Sequence, residues 1–389
     1  REAEYMENPE LFRDGIHDDT IAVQRLLDKR GEIHLSSGVY LITRPLKIHS
    51  GTKLHLDCGA VMRLADGANC AIIENDRFDE NSVLNRELPY NRGISIEGGV
   101  WDGNNANQIR WPSEKREALT SFDDHYYFGI FMRFSGVNHF SMANVTIKDP
   151  ESFAVQLTDT QYFTFRDITF DFNCLRANMD GIHINGPAQF GFISNIQGRT
   201  NDDLIALNCD DGYPAEITRG PISDIRIDGV YSDCGFNAVR LLSCGNRLSN
   251  VSIRNVYAIS FTCENLHKRE DCCIDNILLD GIFASKAAYP LPKSCFTYNG
   301  DLWAIDEQPL ICFDHNSKTG QVTIQNMHRR ESAATHASSV VVRNTASVER
   351  LTIRDSSLRF ENGAPVPFLR ADGTVNELIM SDIWKPEEK

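Results

Sequence analysis

The sequence predicts an all-β chain wound as a right-handed, single-stranded parallel β-helix, with a short N-terminal capping helix. Three observations predict it: short strands with no room for crossover helices, a repeated turn dipeptide at solenoid spacing, and apolar-polar-apolar triplets that superpose from one repeat to the next. The order begins with Asp18-Asp19-Thr20, an N-cap signal before Ile21, Val23, Leu26 and Leu27, which share one helical face. Short alternating strands follow at Glu32–Leu35, Gly38–Ile42, Leu46–Ile48 and Leu54–Leu56, punctuated by Gly, Ser and Pro. This N-terminal cap occupies about residues 15–60.

A small polar residue or Gly, followed by an apolar one, then recurs. The pairs are Gly99-Val100, Asn144-Val145, Asp167-Ile168, Asn195-Ile196, Gly229-Val230, Asn255-Val256, Gly281-Ile282, Asn326-Met327 and Asp382-Ile383. From Val145 to Ile282 the apolar members are separated by 23, 28, 34, 26 and 26 residues. A β-helix coil takes about 20–30 residues, whereas propeller blades need about 40. Met132-Arg133-Phe134, Val155-Gln156-Leu157, Ile182-His183-Ile184, Ile205-Ala206-Leu207 and Val239-Arg240-Leu241 superpose as in–out–in triplets. Strand alternation puts Arg133, Gln156, His183, Ala206 and Arg240 in one row, read as an exposed face. Loops are expected at 104–128, 209–221 and 284–321, walling a groove beside catalytic coils at about 130–260. They interrupt the repeat without changing composition, so residues 1–389 read as one domain.

A chain of 389 residues would ordinarily divide into two or three domains, but a solenoid core grows lengthwise. The net charge of −15 argues against nucleic acid or an anionic membrane as partner. No run of about 18 apolar residues predicts a membrane span. The start, Arg1-Glu2-Ala3-Glu4-Tyr5, reads as trimmed, and a secreted or periplasmic location is expected. Eleven cysteines lack a zinc-ligand rhythm and read as mostly buried thiols, with a few disulfides left open. No cofactor or metal is expected, a monomer is compatible with the pattern, and the oligomeric state is left open.

Chemistry concentrates in Asn178-Met179-Asp180-Gly181 and Asn201-Asp202-Asp203-Leu204. In the triplet register Asp180 and Asp203 are equivalent, about one strand spacing or 5 Å apart, with Asp202 beside them. Three carboxylates this close cannot all ionise freely, so at least one pKa is raised. Glycoside hydrolysis asks for that arrangement: one protonated acid for the leaving oxygen and one carboxylate to activate water. The ordinary alternative is that these Asp and Asn residues only cap turns.

These two segments, with the N-terminal region and the coil repeat, resemble glycoside hydrolase family 28, the polygalacturonase group within the pectin-lyase-like β-helices, over most of residues 15–285. The family shows Asn-Thr-Asp, then Asp-Asp about 21 residues on, then Gly-His-Gly and Arg-Ile-Lys. Asn178, Asp180, Asp202 and Asp203 match in type and spacing. The resemblance implies an inverting mechanism with Asp202 as general acid, and Asp180 and Asp203 deprotonating the attacking water. It departs where Cys234-Gly235-Phe236-Asn237-Ala238 puts Asn237 in the place of the histidine. His183 stands where the family usually carries Asp, and no Arg-Ile-Lys follows, Arg240 being the nearest basic residue but a coil early. The residues that grip a substrate carboxylate in the family are thus altered, and a glycan other than galacturonan is expected.

His183, Asn237, Arg240, Arg133, Gln156 and Tyr213 are candidate substrate-binding residues, His183 either bonding a sugar hydroxyl or tuning Asp180. Arg133 and Arg240 suit a carboxylate or sulfate, or else pair with the aspartates themselves. Trp111 and the run Asp123–Tyr127 form a second aromatic, acidic loop cluster. The partner expected is a plant or other complex poly- or oligosaccharide, with exo attack favoured by the long loops. Two other classes remain open: a calcium-dependent polysaccharide lyase, in which Asp180, Asp202 and Asp203, with Asp210 and Asp211, hold the ion, and a non-catalytic carbohydrate-binding β-helix.

Overall fold

The computed structural model describes residues 10–109, 129–176, 178–210, 218–234, 236–259, 263–266, 273–286, 308–332 and 334–385. Strands between Asp14–Asp18 and Thr374–Trp384 belong to one parallel ladder in which each coil pairs with the coil before and after it. The architecture is the right-handed parallel β-helix expected.

Its core is a set of columns along the solenoid axis. One runs Leu54, Ile96, Met142, Phe165, Ile193, Ile227, Ile253, Leu279, Ile324 and Ile353, each in register with the next. All ten are buried. A parallel ladder puts like residues directly over one another, so an apolar position in one coil must be apolar in its neighbours to exclude water.

The recurring dipeptide has a backbone cause. Asn144, Asp167, Asn195, Gly229, Asn255, Gly281, Asn326 and Asp382 all adopt positive φ, between 53° and 81°. Gly, Asn and Asp tolerate this left-handed conformation at least cost, and the following residue is turned into the core. Asp355 adopts it too, at 52°, but Ser356 follows it and hides that turn from an apolar search. The turn side chains bridge coils: Asn195 Nδ2 donates to Asp167 Oδ1 and Asn255 Nδ2 to Asp228 Oδ1, both at 2.8 Å. Replacing Asn255 by Val is therefore expected to lower stability by about 1–2 kcal/mol, from the left-handed penalty on a branched residue. Asn255→Gly should cost less than Asn255→Val, which paired urea melts would check. Val100 pairs with Thr146, one residue beyond Val145, because consecutive left-handed glycines, Gly98 and Gly99, occupy that turn.

Three expectations need correction. The helix Thr20–Leu27 forms, but Asp19 does not cap it: its carboxylate accepts the amides of Phe12 and Arg13, while Asp18 accepts that of Thr20. Ile21 points to solvent. The segment 284–321 is not one loop, since strands Ile311–Phe313 and Lys318–Glu331 occupy its second half. Ile311 lies in register with Cys263, so the coil resumes ten residues before the expected end of the loop at 321. Among the described cysteines Cys174, Cys209 and Cys312 are buried and Cys58 is exposed. No described helix is long and apolar enough to cross a membrane.

Candidate active site

The five triplets stack as read. Met132, Val155, Ile182, Ile205 and Val239 pair in sequence, as do Arg133, Gln156, His183, Ala206 and Arg240. The row extends backward through Glu74 and Lys47, on triplets Leu46-Lys47-Ile48 and Ile73-Glu74-Asn75. It is not an exposed face. Gln156 and His183 retain 1% and 3% of their surface, and Ala206 none. Alternation decides only that a side chain leaves the core, not that water meets it.

Two positions before each triplet runs a second column, Phe153, Asp180, Asp203 and Asn237. Backbone bonds hold it: Ala154 N donates to Asp180 O, and Gly181 N to Asp203 O. Asp203 pairs directly with Asn237. Asp202 flanks the column, and an oxygen from each of Asp180, Asp202 and Asp203 lies within 4.8 Å of the others. Asp180 and Asp203 are buried, whereas Asp202 is partly open to solvent.

Each carboxylate has a different environment. Asp203 Oδ1 accepts Asn237 Nδ2 at 2.5 Å, and its Oδ2 faces Arg240 Nη1 at 3.4 Å. Asp180 Oδ2 lies 2.8 Å from His183 Nδ1, and no described group hydrogen-bonds its buried Oδ1. Burial, and then the charge of Asp203, push the Asp180 carboxyl well above the usual aspartate range, with Arg240 opposing. Burial likewise raises Asp202, reinforced by Asp180 and Asp203. Asp202 keeps solvent contact on one side, but protein encloses it on the others. Carboxylates packed this closely repel one another's charge, so Asp180 and Asp202 hold their protons more tightly than an exposed aspartate does.

His183 is held on both ring nitrogens. Asn208 Nδ2 lies 3.2 Å from Nε2 and donates to it, leaving Nδ1–H for Asp180. The ring stacks on Phe153 with centroids 4.2 Å apart and planes 7° from parallel. Gln156 donates to Asn185 Oδ1 at 3.0 Å. Arg133 lies two coils from His183, beside Glu74 at 3.4 Å and over the Phe78 ring. The structure thus gathers Asp180, Asp202, Asp203, His183, Asn237 and Arg240, and sets Arg133 apart. Tyr213, Asp211, Trp111 and Asp123–Tyr127 lie outside the described residues.

Several supporting residues escaped sequence reasoning. Asn201 Oδ1 accepts the Met179 amide, and its Nδ2 donates to the Arg176 carbonyl. Arg176 in turn pairs with buried Glu151 at 2.7 Å. Phe153 was legible in principle, since it sits at the same offset from its triplet as Asp180 does.

Residues 91–218 match the family model described as glycosyl hydrolases family 28, and this span contains all three aspartates. Over that span the chain resembles family 28. No curated protein matches it. Among solved structures, the hyperthermoactive exopolygalacturonase of Thermotoga maritima superposes with a TM-score of 0.63 at 14% identity, covering 95% of this chain and 89% of that one. The family 28 exopolygalacturonase of Yersinia enterocolitica gives 0.56 at 13% identity, covering 96% and 76%. The endo-xylogalacturonan hydrolase of Aspergillus tubingensis gives 0.52 at 14%, covering 97% and 92%. Identities this low speak for the shared fold alone, so any reading of the chain's chemistry rests on its carboxylates and on the matched span.

Proposed function

We propose that this family 28-like chain hydrolyses glycosidic bonds in a pectin-like polysaccharide by single displacement, releasing sugar from chain ends. The observation that carries the reading is the carboxylate trio, two members buried and one open, with raised pKa on Asp180 and Asp202. Asp202 is the member that a leaving-group oxygen can reach, so it is the general acid. Asp180 and Asp203 orient and deprotonate the attacking water, for which Asp180 Oδ1 is a buried acceptor without a described donor. Exo attack draws support from the exopolygalacturonases of Thermotoga maritima and Yersinia enterocolitica, which share this fold.

The carboxylate oxygens approach more closely than the roughly 6.5–9.5 Å usual between the carboxyls of inverting pairs. The anomeric configuration of the first product, read by NMR, therefore tests the mechanism: inversion supports single displacement, and retention overturns it. Screening galacturonan, xylogalacturonan, rhamnogalacturonan and neutral glycans, with products sized over time, tests substrate and exo action together. Failure to cleave any of them would leave the glycan-binding reading in place.

The calcium-lyase reading loses a ligand. Asp210 accepts the backbone amides of Cys244 and Asn246, and the Asn246 side chain as well, and is committed to that turn. Activity should accordingly survive chelation, without an unsaturated product absorbing in the ultraviolet.

His183→Ala is expected to lower kcat about 10- to 100-fold with little change in KM, because the ring holds Asp180 rather than the substrate. Steady-state kinetics checks this, and a selective rise in KM would make His183 a sugar contact instead.

A further inference from the structure

A second cluster lies on the outer surface of the N-terminal coils, away from the aspartates. His34, His55 and Glu97 stack in register on three successive coils. Asp57 follows His55 by two residues in the same strand, Thr52–Leu64, and so projects to the same side. One donor atom from each of His34, His55 and Asp57 lies within 4.8 Å of the other two. His34 Nε2 is 2.7 Å from Asp57 Oδ1, and His55 Nδ1 is 3.8 Å from Glu97 Oε2. The two imidazole rings meet edge to face at 5.1 Å.

We propose that His34, His55 and Asp57 bind a borderline transition-metal cation of the Zn²⁺ type, with Glu97 as fourth donor. Two imidazoles and one or two carboxylates are the donor set that such an ion prefers, at bond lengths of about 2.0–2.2 Å. Calcium, which needs six to eight oxygens, is a poor match. A tetrahedral ion would set its ligand atoms roughly 3.4 Å apart. The present spacing reaches that by side-chain rotation alone, because these side chains are substantially exposed. The backbone needs no adjustment, since the parallel ladder already fixes the stacking. A bound ion would tie three consecutive coils of the ladder together.

The test is titration of ZnCl₂ into the intact chain by calorimetry, with thermal melts with and without zinc. Wild type should bind with an imidazole-dependent equivalent and melt higher with zinc. His34→Ala and His55→Ala should each weaken that equivalent by about 10- to 100-fold or more and abolish the thermal shift, with hydrolysis unchanged. Glu32→Gln, an exposed neighbour that supplies no ligand, should behave as wild type and controls for general surface charge. Asp202→Asn separates this cluster from the catalytic carboxylates, and should retain the histidine-dependent equivalent. Equal zinc uptake by wild type and both histidine variants overturns the proposal, as does absence of uptake by wild type at millimolar zinc.

Discussion

Asp202→Asn is expected to lower kcat by about 10³-fold while leaving the fold intact, because an amide preserves the shape but has no transferable proton. General acid catalysis contributes about 10²–10⁴-fold, and a glycosidic oxygen is too weakly basic to leave without protonation. The pH dependence follows from the same group. The acid must be protonated to work, and Asp202 titrates well above the ordinary aspartate value of 3.8. Activity should thus persist above that value and fall as pH rises through the raised pKa.

Stability should move the same way. Between 3.8 and the raised values, Asp180 and Asp202 bind more protons in the folded than in the unfolded chain, so stability declines as pH increases across that window. Asp202→Asn removes a like charge from the cluster and should flatten this decline. Melts of both proteins across the window, beside kcat profiles, check the pair of outcomes. A variant as active as wild type would move the acid to another residue.

Gly181→Ala carries the second large effect. A Cβ at Gly181 would stand 2.4 Å from the Leu204 carbonyl oxygen and 2.7 Å from the Phe170 ring. The carbonyl belongs to the next coil's backbone and cannot step aside without disturbing the ladder that holds Asp203. Overpacking of this kind costs about 1–3 kcal/mol. It also displaces Asp180, whose neighbour must move, and a shift of about 1 Å in a catalytic group lowers kcat about 10²-fold. Denaturant melts and kinetics on one preparation test both parts. Wild-type kcat in Gly181→Ala would mean that Asp180 tolerates displacement, contrary to a tightly oriented water-activating role.

The fold was legible because a parallel solenoid writes its geometry into the chain one coil at a time. Asn195-Ile196 and Asn255-Val256 announce a left-handed turn and an inward side chain, and nothing distant is needed to interpret them. Stacking registers Asp180 on Asp203, so even the central pair of the site could be placed from spacing alone. The strand at Ile311–Phe313 was missed because its triplet, Ile311-Cys312-Phe313, follows a long excursion from the repeat. Asp355 was missed because Ser356 takes the place of the usual apolar residue.

Local order in the chain therefore determined the architecture, the phase of each coil and which carboxylates share a site. Tertiary structure alone decided how wet each of them is. The row through Gln156 and His183 leaves the core by strand alternation, yet is buried, while Asp202 keeps a route to solvent that Asp180 and Asp203 lack. Arg240 likewise came to pair with Asp203 and Arg133 with Glu74, although both read alike as outward arginines. The reason is physical. Register and turn conformation depend on neighbours in sequence and on the next coil, whereas desolvation depends on every atom that surrounds a group in space, and these come from remote parts of the chain.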